Sequence, residues 1–231
     1  LTPEDGAQRL IGAMLRSGKG GNAGVLAATE LAVAIVRERF PRIKIILRAD
    51  AGFGNAQPLG VCDKLKISYC LGLAGNTCLT DLSTRTQMKA CWRYTFAKAQ
   101  WQAVAPDGRL RPDAASVCRV FGRFDYKAGT WERKHNVVVK AQITQGCLNP
   151  GYIVTDLYKR SPQKAHAFYC GRGDAENRIK EFKLDLAAGR TSCHRFLANQ
   201  FRLLLHVAAA VLINTIHQAA KGTSFANAQA G

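Results

Sequence analysis

The chain has 231 residues, and its 33 Lys and Arg against 16 Asp and Glu give a formal net charge of +17 and an isoelectric point near 9.9. A chain of this length can bury one sizeable core and can carry an inserted subdomain. Because the cations are spread along the chain, we expect a polyanionic partner, and nucleic acid is the commonest one. A secreted or membrane-surface basic protein is the competing interpretation.

Membrane and secreted classes find little support in the sequence. Charged residues and a proline occupy Leu1 to Leu10, where a signal peptide would need an apolar run. The longest apolar run, Leu203 to Ile216, contains His206 and Asn214 and is predicted to be too short to cross a bilayer. The eight cysteines form no CxxC pair, so neither a zinc site nor a disulfide framework is indicated. We therefore expect a cytoplasmic protein with reduced thiols.

Helices and strands alternate in the first part of the chain. Apolar residues recur at helical spacing from Val25 to Phe40, and Pro41 ends this predicted helix. A β-branched run, Ile43 to Leu47, is typical of a buried strand. A second predicted helix, Gln57 to Lys66, is followed by a second strand, Ile67 to Leu73. This order favours an α/β sheet.

Asp50 is a candidate site residue because it follows the first predicted strand and precedes Gly52. Open α/β sheets place their active sites at the carboxyl ends of strands. Asp50 could instead cap the next helix or close a turn. Asp156 ends a later predicted strand, Gly151 to Leu157, but ranks below Asp50 because no glycine follows it closely.

The pattern changes between Thr77 and Gln145, where the helical period weakens. Short β-like runs appear at Trp92 to Phe96, Val117 to Phe121 and Val137 to Ile143, which predicts an inserted, largely antiparallel subdomain. Aromatic and basic residues alternate in this region and could contact a nucleic-acid backbone and stack on bases. Aromatic residues in β structure also commonly serve only as core.

A cluster of charges is predicted on one helix face between Tyr169 and Lys183. At about 100° per residue, Tyr169, Arg172, Glu176, Lys180 and Lys183 fall within about 40° of one line. A carboxylate among three cations and a phenol suits a site for a metal and phosphates, while a solvated face with i,i+4 ion pairs is the simpler alternative. A second stripe, a quarter turn away, predicts a core face: Ala175, Ile179, Phe182 and Leu186.

The helical region with this cluster begins at Ser161-Pro162, a typical N-cap and first-turn pair. Gly171 and Gly173 could interrupt it, so the shared face is most secure from Asp174 onward. A last helix, rich in Leu, Ala and Val and ending near His217, is predicted to be mostly buried.

The spacing Tyr169, two residues, Arg172, three residues, Glu176, six residues, Lys183 resembles the Y-R-E-K signature of bacterial insertion-sequence transposases with a DDE site. The segment Leu47 to Phe53 is similar to the one that carries the second aspartate in one group of that family. Segments of the C-terminal helical region also resemble that group: Thr191 to Phe196 and Asn199 to Arg202. The likeness extends from about Leu10 to His217.

This resemblance implies an α/β fold: an RNase H-like mixed sheet flanked by helices, with a β-rich insertion before the helix that carries the last catalytic carboxylate. It divides the chain into the N-terminal part of the catalytic core (residues 1–76), the insertion (77–150) and the C-terminal part of the core (151–231). Asp50 and Glu176 would be catalytic metal ligands for Mg²⁺, which Mn²⁺ can replace. The implied DNA contacts are Tyr169, Arg172, Lys180 and Lys183.

The implied partners are the terminal repeats and the target DNA of an insertion sequence, bound by a homodimer, with no membrane association. The family's first aspartate lies on a strand for which this sequence shows no counterpart, and Glu4 and Asp5 lack the apolar run that such a strand needs. We therefore expect an N-terminally truncated transposase whose isolated chain is inactive or very slow.

Two alternatives remain open. A non-catalytic, basic nucleic-acid-binding protein could use the same scaffold. A ribosome-associated structural protein would account for the charge but not for the spacing of the four signature residues.

Overall fold

The computed structural model describes residues 10–15, 23–104, 117–184, 186–189, 192–220 and 222–223. The chain divides into two compact units. One unit is the continuous segment Leu26–Gly171. The other consists of Leu1–Val25 and Arg172–Gly231.

The larger unit contains all the strands and most of the helices of the described chain. Its helices are α1 (Ala23–Arg39, which begins just before the unit), α2 (Ala56–Leu65), α3 (Thr77–Leu82), α4 (Thr84–Val104) and α5 (Pro162–Cys170). Its strands are β1 (Ile46–Ala49), β2 (Ser68–Leu73), β3 (Val117–Tyr126), β4 (His135–Thr144) and β5 (Cys147–Thr155). The other unit holds α6 (Arg172–Leu184) and α7 (Phe196–Ala219).

The five strands form one mixed sheet in the order β1-β2-β5-β4-β3. β1 pairs with β2 in parallel, and Ala49 lies opposite Leu71. β5 then runs antiparallel to β2, and β4 and β3 extend the antiparallel part. The predicted α/β architecture, a mixed sheet flanked by helices with a β-rich segment before the helix that carries Glu176, is confirmed.

Side chains alternate across the sheet and so build two separate apolar layers. On one face Leu71, Val139 and Val154 join a buried core with Val33 of α1, Leu59 of α2 and Leu79 of α3. α4 covers the same face further along, where Ala90 packs on Val120, Ala141 and Ile143. On the other face Cys70, Val138 and Ile153 pack against Ala165 of α5. The sheet is therefore covered on both faces.

Two predictions from the sequence differ from the structure. The predicted strand at Trp92 to Phe96 is wrong, because these residues lie within helix α4. The first strand lies at Ile46–Ala49, a few residues beyond its predicted position, because only this stretch pairs with β2. The predicted runs at Val117 and Val137 are confirmed as parts of β3 and β4. The division at residues 76 and 150 remains a prediction.

The three tryptophans also differ from one another. Trp131 is buried, as the core interpretation of aromatic residues predicts, and contacts Tyr126 and His135 edge to face. Trp92 is 64% exposed and stacks on Phe96, which lies one helical turn further along α4. Trp101 ends up in α4 as well. An aromatic residue in this region is therefore not always a core residue.

α7 corrects the prediction of a mostly buried last helix. Its apolar side chains are widely exposed, with Leu197 at 79% and Leu212 at 65%. The segment Phe196–Ile216 is long and apolar enough to cross a membrane, with a mean hydropathy of 1.7, so the helix is longer than the apolar run on which the contrary prediction was based. One helix of this kind is weak evidence for a membrane span, because the core helix of a soluble protein can meet the same criteria of length and composition.

Candidate functional site

Asp50 lies at the carboxyl end of β1, as predicted, and it also caps the structure that follows. Its Oδ1 accepts a hydrogen bond of 3.0 Å from the backbone N–H of Gly52, at the start of a 3₁₀ turn from Ala51 to Phe53. The side chain is exposed, and its Oδ2 accepts no hydrogen bond from any described residue. The capping role therefore leaves one carboxylate oxygen available for a ligand.

Gly72 allows Tyr169 to approach this strand end. A Cβ atom at position 72 would lie 2.6 Å from the Tyr169 hydroxyl oxygen, 2.6 Å from the backbone nitrogen of Ala51 and 2.9 Å from the carbonyl carbon of Asp50. Such distances are shorter than any real contact of a Cβ atom. The phenol of Tyr169 thus converges with the Asp50–Ala51 peptide on a place that only glycine can leave open.

Arg48 fixes the end of α5 to β1 and was assigned no role from the sequence. Its guanidinium donates a hydrogen bond of 2.7 Å to the carbonyl oxygen of Phe168 and lies 5.1 Å from the centre of the Phe168 ring. Arg160 lies over the same ring at 4.5 Å. These cation–π contacts hold Phe168, and with it the neighbouring Tyr169, against the strand that ends at Asp50. The alternation Arg48, Asp50 along one strand was the signal available in the sequence.

Tyr169 and the other members of the predicted cluster belong to different helices. Tyr169 lies in α5, which Ser161 caps through a hydrogen bond from the Lys164 N–H, as predicted. α5 ends at Cys170, and α6 begins at Arg172. The single helix face from Tyr169 to Lys183 is therefore interrupted at Gly171, where the sequence had indicated a break.

The cluster on α6 contains an ion pair. Arg172 donates a hydrogen bond of 2.5 Å to Oε1 of Glu176, an i,i+4 pair in which the glutamate side chain is 53% exposed. Such exposed pairs contribute only about 0.3–0.5 kcal/mol to stability. Lys180 and Lys183 are exposed on the same helix. These four residues belong to the unit that includes α6, whereas Asp50 and Tyr169 belong to the larger unit.

The apolar stripe of α6 is less buried than predicted. Ile179 is 49% exposed, while Ala175, Phe182 and Leu186 are partly buried. The prediction of an ordinary core face for this stripe is therefore wrong for Ile179.

Asp156, the candidate carboxylate after a later strand, has a structural role. Oδ1 of Asp156 accepts a hydrogen bond of 2.9 Å from the backbone N–H of Tyr69, at the start of β2. Because β5 is antiparallel to β2, Asp156 lies toward the opposite end of the sheet from Asp50. Glu4 and Asp5 lie outside the described residues. Within the described parts of the chain, no three His, Cys, Asp or Glu side chains form a metal-binding group.

Two buried cysteines lack the properties of nucleophiles. Burial, followed by the charges of Asp156 and Asp63, raises the pKa of the Cys62 thiol to about 12. Burial also raises the pKa of the Cys70 thiol to about 11. At neutral pH both are thiols and not thiolates, so the candidate chemistry rests on the carboxylates.

No curated protein matches the sequence. The family described as transposase DDE domain group 1 matches residues 3–231. The five-strand mixed sheet is consistent with the RNase H-like fold of DDE transposases, so this part of the predicted resemblance is confirmed, while membership of the Y-R-E-K group remains a prediction. With almost its whole length matched, the chain belongs to the transposase DDE domain group 1 family.

Proposed function

We propose that this chain serves divalent-metal-dependent DNA cleavage and strand transfer for an insertion sequence, as a homodimer on the terminal repeats and the target DNA. Cleavage by the isolated chain should be very slow at most, because only two carboxylate ligands are assigned. The family supports transposase function in general. The observation that carries the finer proposal is the convergence of the Tyr169 phenol with the Asp50–Ala51 peptide at Gly72. It joins the first residue of the Y-R-E-K spacing to the strand-end aspartate.

Asp50 and Glu176 are the proposed metal ligands, and their chemistry fits Mg²⁺. Both are exposed carboxylates, and hard divalent cations prefer carboxylate oxygens. Oδ2 of Asp50 accepts no hydrogen bond from the described chain, and Glu176 is held through Oε1 by Arg172. When bound, a pair of such ions would stabilise the attacking and leaving oxygens of an in-line displacement, and Mn²⁺ can replace Mg²⁺.

Four further side chains have proposed roles toward DNA. Arg172 can divide its guanidinium between Glu176 and a phosphate, because its planar fork suits bidentate contacts. Lys180 and Lys183 are exposed on the same helix and would bind phosphates as point charges. Tyr169, beside Asp50, would contact the backbone or an unpaired base near the cut.

The variants Asp50→Asn and Glu176→Gln test the metal ligands. Each removes a charged oxygen ligand while keeping the shape of the side chain, so we expect Mn²⁺ affinity, measured by calorimetry or electron paramagnetic resonance, to fall about tenfold or more. Cleavage of a supercoiled plasmid bearing the terminal repeats should be lost, as it should be when EDTA removes the metal. Asp81→Asn, an exposed carboxylate of α3, is the matched control.

The same variants separate catalysis from simple binding. When Glu176 becomes Gln, a pure binder should bind DNA as well as before or better, whereas an enzyme should lose strand cleavage. Mn²⁺ affinity equal in Asp50→Asn, Glu176→Gln and Asp81→Asn would contradict the proposed ligands. If the unmodified chain also binds DNA without cutting it at any metal concentration, a non-catalytic nucleic-acid-binding protein is the better description.

A further inference from the structure

A cleft of about 670 Å³ lies at the edge of the sheet formed by β3. Its lining includes Lys89 and Arg93 from α4, Arg119 from β3, and Gln163 and His166 from α5. No Asp or Glu is found among the described residues that line it. The strand that leads to Asp50 forms the opposite edge of the sheet, so Asp50 does not line this cleft.

Helices on opposite faces of the sheet form the two walls. Val120 points toward α4, where it packs with Ala90. Phe121, the next residue, points the other way, and its ring lies 5.4 Å from that of His166 on α5. The cleft therefore wraps around an exposed strand edge and stays open to a ligand that approaches from the side.

Three cations line this cleft: Lys89, Arg93 and Arg119. Nε of Arg119 donates a hydrogen bond of 2.9 Å to Oε1 of Gln142, which orients the guanidinium. Lys89 and Arg93 are exposed and lie one helical turn apart, where like charges repel. Among the described residues, none of the three forms an ion pair with a carboxylate. Keeping repelling charges at one cleft favours an anionic ligand.

His166 lines this cleft as a neutral side chain. Its pKa is lowered to about 4, by burial first and then by Lys140 and Arg119. The imidazole is neutral at pH 7 and forms part of the wall, while the charge is left to the three cations. An anion placed there would meet no competing negative charge.

We propose that this cleft binds backbone phosphates of duplex DNA, at a second contact on the opposite edge of the sheet from the strand that leads to Asp50. The choice of DNA rests on the proposed function, and the net charge of +17 favours such a polyanion. Arg119 and Arg93 can each make bidentate contacts with a phosphate, and Lys89 adds a point charge. Contacts of this kind position a protein on DNA without reading its sequence.

Fluorescence anisotropy with a 20-base-pair duplex and no divalent metal tests this cleft. The triple variant Lys89→Ala, Arg93→Ala, Arg119→Ala should bind about tenfold or more weakly near 0.15 M salt, because each lost phosphate contact removes about 0.9 from the slope of log affinity against log salt. The slope itself should fall by about 2 to 3. The matched control removes three other exposed lysines with no ion pair in the described chain, Lys44, Lys98 and Lys127.

Equal slopes in the triple variant and in the control would overturn the proposal. The cations could instead only protect the strand edge from pairing with another chain. In that case the triple variant would self-associate in analytical ultracentrifugation while it keeps its affinity for DNA, which would also overturn the proposal. The double variant Lys89→Ala, Arg93→Ala changes only the exposed side of α4 and should show about two thirds of the change in slope if the triple variant fails to fold.

The anisotropy experiment can fail or succeed independently of the metal-binding and cleavage experiments that test the proposed function. The anisotropy assay contains no divalent metal, so its outcome does not depend on metal binding by Asp50 or Glu176. Suppose that Mn²⁺ affinity is unchanged in Asp50→Asn and Glu176→Gln while DNA affinity falls in the triple variant. The assignment of the metal ligands is then wrong, and the assignment of the cleft to DNA binding is supported.

Discussion

At the scale of single residues, the candidate site depends on a missing side chain. Gly72 lets the Tyr169 hydroxyl and the Asp50–Ala51 peptide occupy space that a Cβ atom would take. Gly72→Ala should therefore lower the free energy of unfolding by about 1–3 kcal/mol, the usual cost of overpacking. It should also reduce DNA cleavage, because the methyl group separates Tyr169 from the strand end. Urea unfolding and plasmid cleavage are the measurements.

Gly60→Ala is the matched control for that variant. Gly60 lies inside α2, and nothing lies within 4 Å of the position its Cβ would take. Alanine in a helix interior is more stable than glycine by about 0.5–1 kcal/mol. The two glycine substitutions should thus shift stability in opposite directions, and a destabilised Gly60→Ala would contradict the geometry described for α2.

His166 should make the stability of the protein depend on acid pH. Its pKa is lowered from the ordinary value of 6.5 to about 4, mainly by burial. Between these values the unfolded chain binds a proton that the folded chain does not, so the free energy of unfolding should fall as the pH drops from 6.5 to 4. Above pH 6.5 this contribution is complete and constant. Burial also lowers the pKa of His135, which adds a contribution of the same sign.

The variant His166→Phe checks this contribution. Phenylalanine keeps the contacts of His166 with the rings of Phe121 and Tyr169 and loses the 3.3 Å contact between Nδ1 and the Cys170 sulfur. The slope of stability against pH between 4 and 6.5 should be reduced relative to the unmodified chain. His194→Gln, at an exposed position of the other unit, should leave the slope unchanged. A slope that is identical in all three proteins would refute the assignment to His166.

At the scale of elements, Arg48 joins β1 to the end of α5. Arg48→Lys keeps the charge but loses the planar stacking on Phe168 and shortens the reach to its carbonyl oxygen. We expect a loss of about 1 kcal/mol in the free energy of unfolding and a lower cleavage rate. Arg42→Lys, at an exposed position before β1, is the control. Equal stability and activity in both variants would show that the bridge has no role.

α4 shows why the prediction of a strand at Trp92 to Phe96 was wrong. The run Trp92 to Phe96 is rich in residues that favour strands, and its period was judged from that short stretch. The full helix Thr84–Val104 instead places Ala90 and Tyr94 inward and leaves Trp92 and Phe96 outside. Packing against β3 and β4 overrides local preference here, and a short window cannot reveal a partner that lies further along the chain.

Elements with complete local signals were predictable. Ser161 and Pro162 predict the start of α5. The helical spacing of apolar residues, followed by Pro41, predicts α1. Of the site itself, Asp50 at a strand end was predictable from an apolar run followed by glycine. The contact between Tyr169 and Gly72 was not, because it depends on how α5 packs on the sheet.

At the scale of the whole molecule, composition indicated the partner class better than it indicated burial. The net charge of +17 favours nucleic acid, and the family match agrees with that. The apolar composition of α7 was interpreted as burial, yet many of its large apolar side chains are exposed. A helix that is apolar all round shows that something should cover it, and composition alone cannot say whether that cover lies in the same chain.

The order of the strands also sets an order of events in folding. β2 receives its central partner, β5, only after the long segment between them, and Tyr69 and Asp156 are 87 positions apart. Closing so long a loop costs entropy before its contacts can repay it. On the ribosome, the strand end with Asp50 therefore emerges early but cannot be completed until β5 and α5 have been synthesised. A nascent chain released before Thr155 would hold the aspartate without the partner strand and the tyrosine that define its setting.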